Sequence, residues 1–148
     1  MVTFQSIDIL DTIENKKGLI AYSADPLVNI ISFPDKADGY VKLKSYDKNY
    51  NVLIHAHDSE ICCLELSYNG TYLATASKRG NIIRIFRADD GNFLHKFRRG
   101  SDTTNIYYLT FDLKNNYLAC TCSNGVVHLF SMKAASDKNS SFPVVKER

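Results

Sequence analysis

The sequence contains no stretch of about 18 consecutive apolar residues, the length a helix needs to cross a bilayer. Its first residues, Met1 to Asp8, lack the basic-then-apolar order of a secretory leader. Its four cysteines occur as Cys62-Cys63 and Cys120-x-Cys122, and the Cys-x-x-Cys spacing of a metal site, with a matched second pair, is absent. Set in apolar runs, these thiols are expected to be buried, reduced and inert. Together these features point to the cytosol. No segment of useful length repeats apolar residues at helical spacing, and heptads are missing. There is no nucleophile with a matched base and no paired-carboxylate signature. Gly80, Gly91 and Gly100 are too scattered to form a phosphate-cradling loop. The expectation is therefore no enzyme, no metal and no cofactor.

The net charge is only +2, but it is unevenly placed. Lys78, Arg79, Arg84, Arg87, Lys96, Arg98 and Arg99 fall within one short stretch that holds two acids, Asp89 and Asp90. A positive patch on a mildly acidic body suggests an anionic partner: phosphate, membrane surface or nucleic acid. Aromatics suited to base stacking are not interleaved with the patch, so nucleic acid is not expected.

A repeat organises the chain. Gly70-Thr71-Tyr72-Leu73-Ala74-Thr75 recurs as Asn115-Asn116-Tyr117-Leu118-Ala119-Cys120, an offset of 45, and Gly80 recurs as Gly125. Such a period fits the four-stranded blade of a β-propeller. Short apolar runs closed by polar turns mark the strands: 61–66, 72–76, 82–86 and 93–97 in one blade, and 106–111, 117–121 and 126–131 in the next. Upstream, 19–23, 28–33, 41–46 and 52–55 make a more degenerate blade, and Ile7–Ile13 is expected to be the outer strand of a blade before it. The fold class is therefore all-β, a WD-repeat β-propeller with about three blades. The units are 1–14, an outer strand; 15–56, 57–100 and 101–132, the three blades, the last partial; and 133–148, a polar loop or tail. Closed rings need about 4–8 blades, so a piece of a larger ring is expected.

The sharpest local feature is Lys96-Phe97-Arg98-Arg99-Gly100. Strand side chains alternate between faces, so the adjacent arginines should serve two pockets, one on each flank. Each guanidinium offers a planar fork of donors suited to phosphate oxygens. Glycine after them lets the chain turn sharply or lets a headgroup approach the backbone. The flanking turns, Ser77-Lys78-Arg79-Gly80-Asn81 and Thr121-Cys122-Ser123-Asn124-Gly125, add hydroxyls and cations. His57 either adds a donor or is the structural histidine that opens WD-repeat blades.

Several segments together resemble the PROPPIN family, the seven-bladed WD-repeat proteins of autophagy and endosomes called WIPI proteins in animals. They are Ala56-His57-Asp58-Ser59, Leu73 to Gly80, Ile83-Arg84-Ile85-Phe86, Phe97-Arg98-Arg99-Gly100, Asn105-Ile106-Tyr107 and Val127-His128-Leu129-Phe130. Asn15-Lys16-Lys17-Gly18-Leu19 is similar to the opening of that family's fourth blade. The blades above would then be blades four, five and six.

The resemblance implies binding of phosphatidylinositol 3-phosphate and the 3,5-bisphosphate through two sites beside the arginine pair. The first would use His57, Ser77, Arg79 and Arg98, with Asn81 where threonine is common. The second would use Arg99, Thr103, Thr121 and Ser123. Cys122 and Val126 stand where serine and threonine are usual, removing hydroxyls from the second site. The stretch 133–148 would begin a loop that dips into the bilayer, its one sizeable apolar cluster being Phe142 to Val145. The resemblance also implies an adaptor that recruits autophagy proteins, cytoplasmic and peripheral on autophagic or endosomal membranes. The competing expectation is a protein-interaction scaffold that binds no lipid.

Overall fold

The computed structural model describes residues 1–133; the expectations for 134–148, including the Phe142 to Val145 cluster, lie outside the described residues. Among the described residues, eleven strands form three antiparallel sheets. The first sheet runs β1 (Ala21–Tyr22), β2 (Ile30–Pro34), β3 (Tyr40–Ser45) and β4 (Tyr50–His55). The second runs β5 (Ile61–Leu66), β6 (Tyr72–Ser77), β7 (Ile82–Arg87) and β8 (Phe93–Arg98). The third has β9 (Ile106–Phe111), β10 (Tyr117–Cys122) and β11 (Val127–Ser131). Each strand pairs with the next in sequence, so every sheet is a simple meander.

The sheets stack as successive blades because the middle one is apolar on both flanks. Leu64, Leu66, Leu73 and Phe86 pack with Ile30, Val41, Leu43 and Ile54 of the first sheet. The residues between them in the alternation, Ala74, Ala76, Ile83, Ile85 and Phe97, pack with Ile106, Leu109, Leu118 and Cys120 of the third. Period-two alternation with two buried faces is what an inner propeller blade requires. A bulge between Ile61 and Cys63 turns Cys62 and Cys63 to the same flank, where both thiols donate to the Ile106 carbonyl at 3.6 and 3.2 Å. The corresponding bulge in the third sheet, opposite Thr121 and Cys122, leaves Tyr107 and Tyr108 both exposed. All four cysteines are buried free thiols.

The tight turns press against the chain entering the next blade. Gly80 has φ +68, and a Cβ there would stand 1.8 Å from the Thr104 carbonyl oxygen. Gly39, with φ +78, meets the His57 carbonyl in the same way. Only glycine fits both the left-handed backbone and the space.

The segment 7–13, expected as the outer strand of a preceding blade, has no strand pairing among the described residues. Ile7 and Ile9 are exposed. Asp8 binds Lys44 of β3 and Tyr46 in the turn after it through its carboxylate, which also accepts the Ile9 N–H, and Ile13 N–H donates to the Asp35 carbonyl. Alternating apolar residues become a strand only against a ladder partner, and the described sheets begin at β1, so no preceding blade is among the described residues.

Candidate functional site

The basic stretch sorts itself by what each cation already touches. Arg84 Nη1, on β7, donates at 2.6 Å to the carbonyl of Ala56, which follows the first sheet. Arg87 pairs with Asp90 at 3.1 Å. Lys78 pairs with Glu60, which raises the lysine pKa chiefly through that hydrogen bond. Arg79, Lys96 and Arg98 are exposed and have no hydrogen bond or ion pair with any described residue. Arg98 ends β8 in register with Ile82, the first residue after the turn that carries Arg79 and Asn81. Lys96, two positions earlier on the same face of β8, extends that cluster; the strand's alternation was the signal for it.

Arg98 and Arg99 lie on opposite flanks. Phe97 and Arg99 are buried toward the third sheet, where Phe97 stacks on Phe130 at 4.8 Å. Arg98 turns the other way, into solvent. Arg99 is not free. Its side chain is 2% exposed. Nε–H donates to the Gly80 carbonyl at 2.6 Å, Nη2 donates to the Asp102 carbonyl, and Nη1 is 3.6 Å from Asp102 Oδ2. The guanidinium thus ties the 78–81 turn to the 100–104 loop.

The other expected residues are spread between surface and interior. Ser77 is buried at the end of β6, and Asn81 is half-buried and accepts the Arg99 backbone N–H at 2.9 Å. His57 is buried, with Nε2 3.0 Å from Thr75 Oγ1. Burial, then the nearby Arg84 charge, pushes its pKa down to about 4, so the ring is neutral at ordinary pH. The structure does not present His57 to a surface ligand. Thr103 is exposed in the loop beside Arg99. Ser123 is exposed in the next turn, and its hydroxyl accepts the Asn105 N–H at 3.2 Å. Thr121 is not brought to Arg99. Cys120 and Cys122 fill the face of β10 toward the second sheet, so Thr121 points to the far face, where it pairs with Val127 and Tyr108. Sequence reasoning passed over Asp102, whose carboxylate faces Arg99; its place in a loop without periodicity offered no signal.

A concavity of about 440 Å³ lies between the first and second sheets, lined by Lys16, Lys17, Tyr40, Glu60 and Lys78 among others. Its charges are of both signs, unlike the Arg79, Lys96 and Arg98 cluster.

A family model described as PROPPIN matches residues 4–145. Autophagy-related protein 18e of Arabidopsis thaliana is 35% identical over 127 residues, covering 84% of this chain and 33% of the relative. Autophagy-related protein 18 of Dictyostelium discoideum is 36% identical over 141 residues, covering 93% and 38%. The chain thus spans about a third of the length of these curated relatives. Among solved structures, Kluyveromyces lactis Hsv2 superposes with a TM-score of 0.70 at 24% identity, covering 77% of this chain and 37% of that one. A complex of KlAtg21 with the coiled coil of AgAtg16 matches with a TM-score of 0.65 at 28% identity, covering 76% and 39%. The three sheets are blades of a β-propeller.

Proposed function

The chain belongs to the PROPPIN family, and on that premise we propose that it reads phosphoinositides on membranes in autophagy, taking phosphatidylinositol 3-phosphate or 3,5-bisphosphate at the Arg98 side of its arginine pair. The observation that carries this reading is the trio Arg79, Lys96 and Arg98: exposed cations on one rim whose side chains have no partner among the described residues. Unpaired arginines are costly to keep together by mutual repulsion, and a phosphomonoester relieves that cost while matching the guanidinium fork. Asn81 and Ser77 border the same turn and supply neutral donors.

Each charge-assisted bond contributes about 1.5–3 kcal/mol. Two or three at a shallow rim bind a free headgroup weakly, and a membrane that offers many headgroups at once multiplies the effect. The autophagy-related names of the relatives support the cellular role. A protein partner is part of the proposal too: KlAtg21 has been solved with a coiled coil of AgAtg16, so an adaptor joining membrane to coiled coil is the chemistry proposed here.

Flotation on phosphatidylcholine vesicles with and without phosphatidylinositol 3-phosphate tests the reading. Wild type should float with the phosphoinositide vesicles, and Arg79→Thr and Arg98→Thr should each lose most of that binding while keeping the native circular dichroism spectrum. A folded wild type that ignores the phosphoinositide would leave the protein-interaction scaffold as the function.

A further inference from the structure

The second flank of the arginine pair is already occupied by the chain itself. Asp102 folds back over Arg99 so that its carbonyl accepts from Nη2 and its Oδ2 stands 3.6 Å from Nη1. The fold-back is built, not incidental. Thr104, itself buried, donates from Oγ1 to Asp102 Oδ2 at 3.1 Å and fixes the carboxylate. A Cβ on Gly100 would come within 3.0 Å of Asp102 Oδ1, so the glycine that follows the arginine pair leaves room for the carboxylate to close over it. Arg99 is sealed at 2% exposure while Asp102 is 66% exposed, so the acid is the removable half of the pair.

We infer that Asp102 is a specificity gate: its carboxylate holds, against Arg99, the place that a ligand phosphate would take, so that only a phosphomonoester displaces it. The inference rests on the phosphoinositide reading for the identity of the ligand, and on the geometry alone for the gate. A tethered carboxylate carries one negative charge and competes at high effective concentration. A phosphodiester also carries one charge and gains nothing by exchange. A phosphomonoester carries about −1.5 to −2 near neutral pH and offers three acceptor oxygens to the same fork. The exchange therefore favours monoester headgroups over the diesters that make up the bulk of a bilayer. The backbone bond from Asp102's own N–H, then the Thr104 hydroxyl, keep the carboxyl pKa below its usual value, so the gate stays charged through the neutral range.

Asp102→Asn keeps the shape and the Thr104 bond but removes the charge. Two readouts separate the gate from the lipid reading. In the first, inorganic phosphate is titrated into the whole chain while the Arg99 Nε–H resonance is followed by NMR. Wild type should respond, since inorganic phosphate near neutral pH carries the charge of a phosphomonoester, and Asp102→Asn should respond at a phosphate concentration about two- to fivefold lower, the factor an ion pair of this kind spans. In the second, both proteins are floated on vesicles with phosphatidylinositol 3-phosphate and on vesicles with phosphatidylinositol alone. The variant should gain on both and lose part of its preference for the monoester. A variant whose Arg99 signal responds to phosphate as wild type does overturns the gate, whatever the vesicles show. A gain in the phosphate titration with no phosphoinositide flotation by either protein keeps the gate and overturns the lipid reading.

Discussion

Arg98 and Arg99 should behave as two different kinds of residue when replaced. Threonine at Arg99 removes the donor to the Gly80 carbonyl at 2.6 Å and the donor to the Asp102 carbonyl, both inside a site where the side chain is 2% exposed. Bonds from a charged donor are each worth about 1.5–3 kcal/mol, and an unpaired buried carbonyl costs about 1–3 kcal/mol. Against this stands the relief of the desolvation that a buried guanidinium bears, several kcal/mol in the opposite sense. The net expectation is a loss of about 2–4 kcal/mol. At this chain length that lowers Tm by roughly 4–16 °C. Arg98 has no side-chain partner among the described residues, and Arg98→Thr should stay within about 0.5 kcal/mol of wild type. Thermal melts followed by circular dichroism measure both. Equal Tm values for the two variants would refute the brace, because they would mean that Arg99 contributes no more to the fold than an exposed side chain. The consequence for binding assays is direct: a double replacement of the pair confounds lost ligand contacts with a loosened rim, and only the Arg98 variant is clean.

Other expectations follow from burial. His57 has its pKa pushed down to about 4 from 6.5, so the unfolded chain takes up the proton first; its contribution is whole above pH 6.5 and is lost as pH falls toward 4, up to about 3 kcal/mol. Glu65 acts with the opposite sign: desolvation raises its pKa to about 6 from 4.5, so its contribution is whole below pH 4.5 and is lost as pH rises through 6. Urea midpoints between pH 7 and 4.5 should therefore fall more steeply for Glu65→Gln than for wild type, and should not fall for His57→Gln. Gly80→Ala should cost more than the roughly 1 kcal/mol ordinary at a left-handed position, since its Cβ would sit 1.8 Å from the Thr104 oxygen; a melt close to wild type would contradict that packing. The four buried thiols should resist Ellman's reagent in the native protein and react together in urea.

The strands were legible in the sequence because each blade alternates cleanly and closes its strands with polar turns. Leu64, Leu66 and Leu73 on one flank and Ala74, Ala76 and Ile83 on the other needed only period two to be placed. The same rule, applied to β10, would have placed Thr121 away from Arg99: two cysteines that face the core at positions 120 and 122 leave the residue between them on the far side. For the segment 7–13 alternation reports only a potential strand, and whether it pairs depends on a preceding blade that the described residues do not include. The state of Arg99 was not legible at all. Its burial depends on how the 100–104 loop folds back, a matter of Gly100, Asp102 and Thr104 in three dimensions with no periodic trace in the sequence.

The repeat itself explains how a rim built for packing acquires a charged function. His55 ends β4 in register with Tyr40, as Arg98 ends β8 in register with Ile82. The next residue in each blade donates its N–H back across the sheet: Ala56 to the Gly39 carbonyl at 2.8 Å, Arg99 to the Asn81 carbonyl at 2.9 Å. So Ala56 and Arg99 are equivalent positions, and both are buried. In the first blade a methyl group fills the slot and nothing more is required. In the second a guanidinium occupies it, and a buried cation must have acceptors. The Gly80 and Asp102 carbonyls supply them, and the Asp102 carboxylate balances the charge. A blade position that tolerates either residue is one where the backbone has already fixed direction and burial, so chemistry there changes by side chain alone. Placing alanine at Arg99 should accordingly preserve the blade's strand register while it releases the 100–104 loop. Amide hydrogen exchange at Ile106 and Leu109 should remain slow in that variant while exchange at Asp102 and Thr104 quickens; uniform quickening across β9 would mean that Arg99 holds the blade and not only its rim.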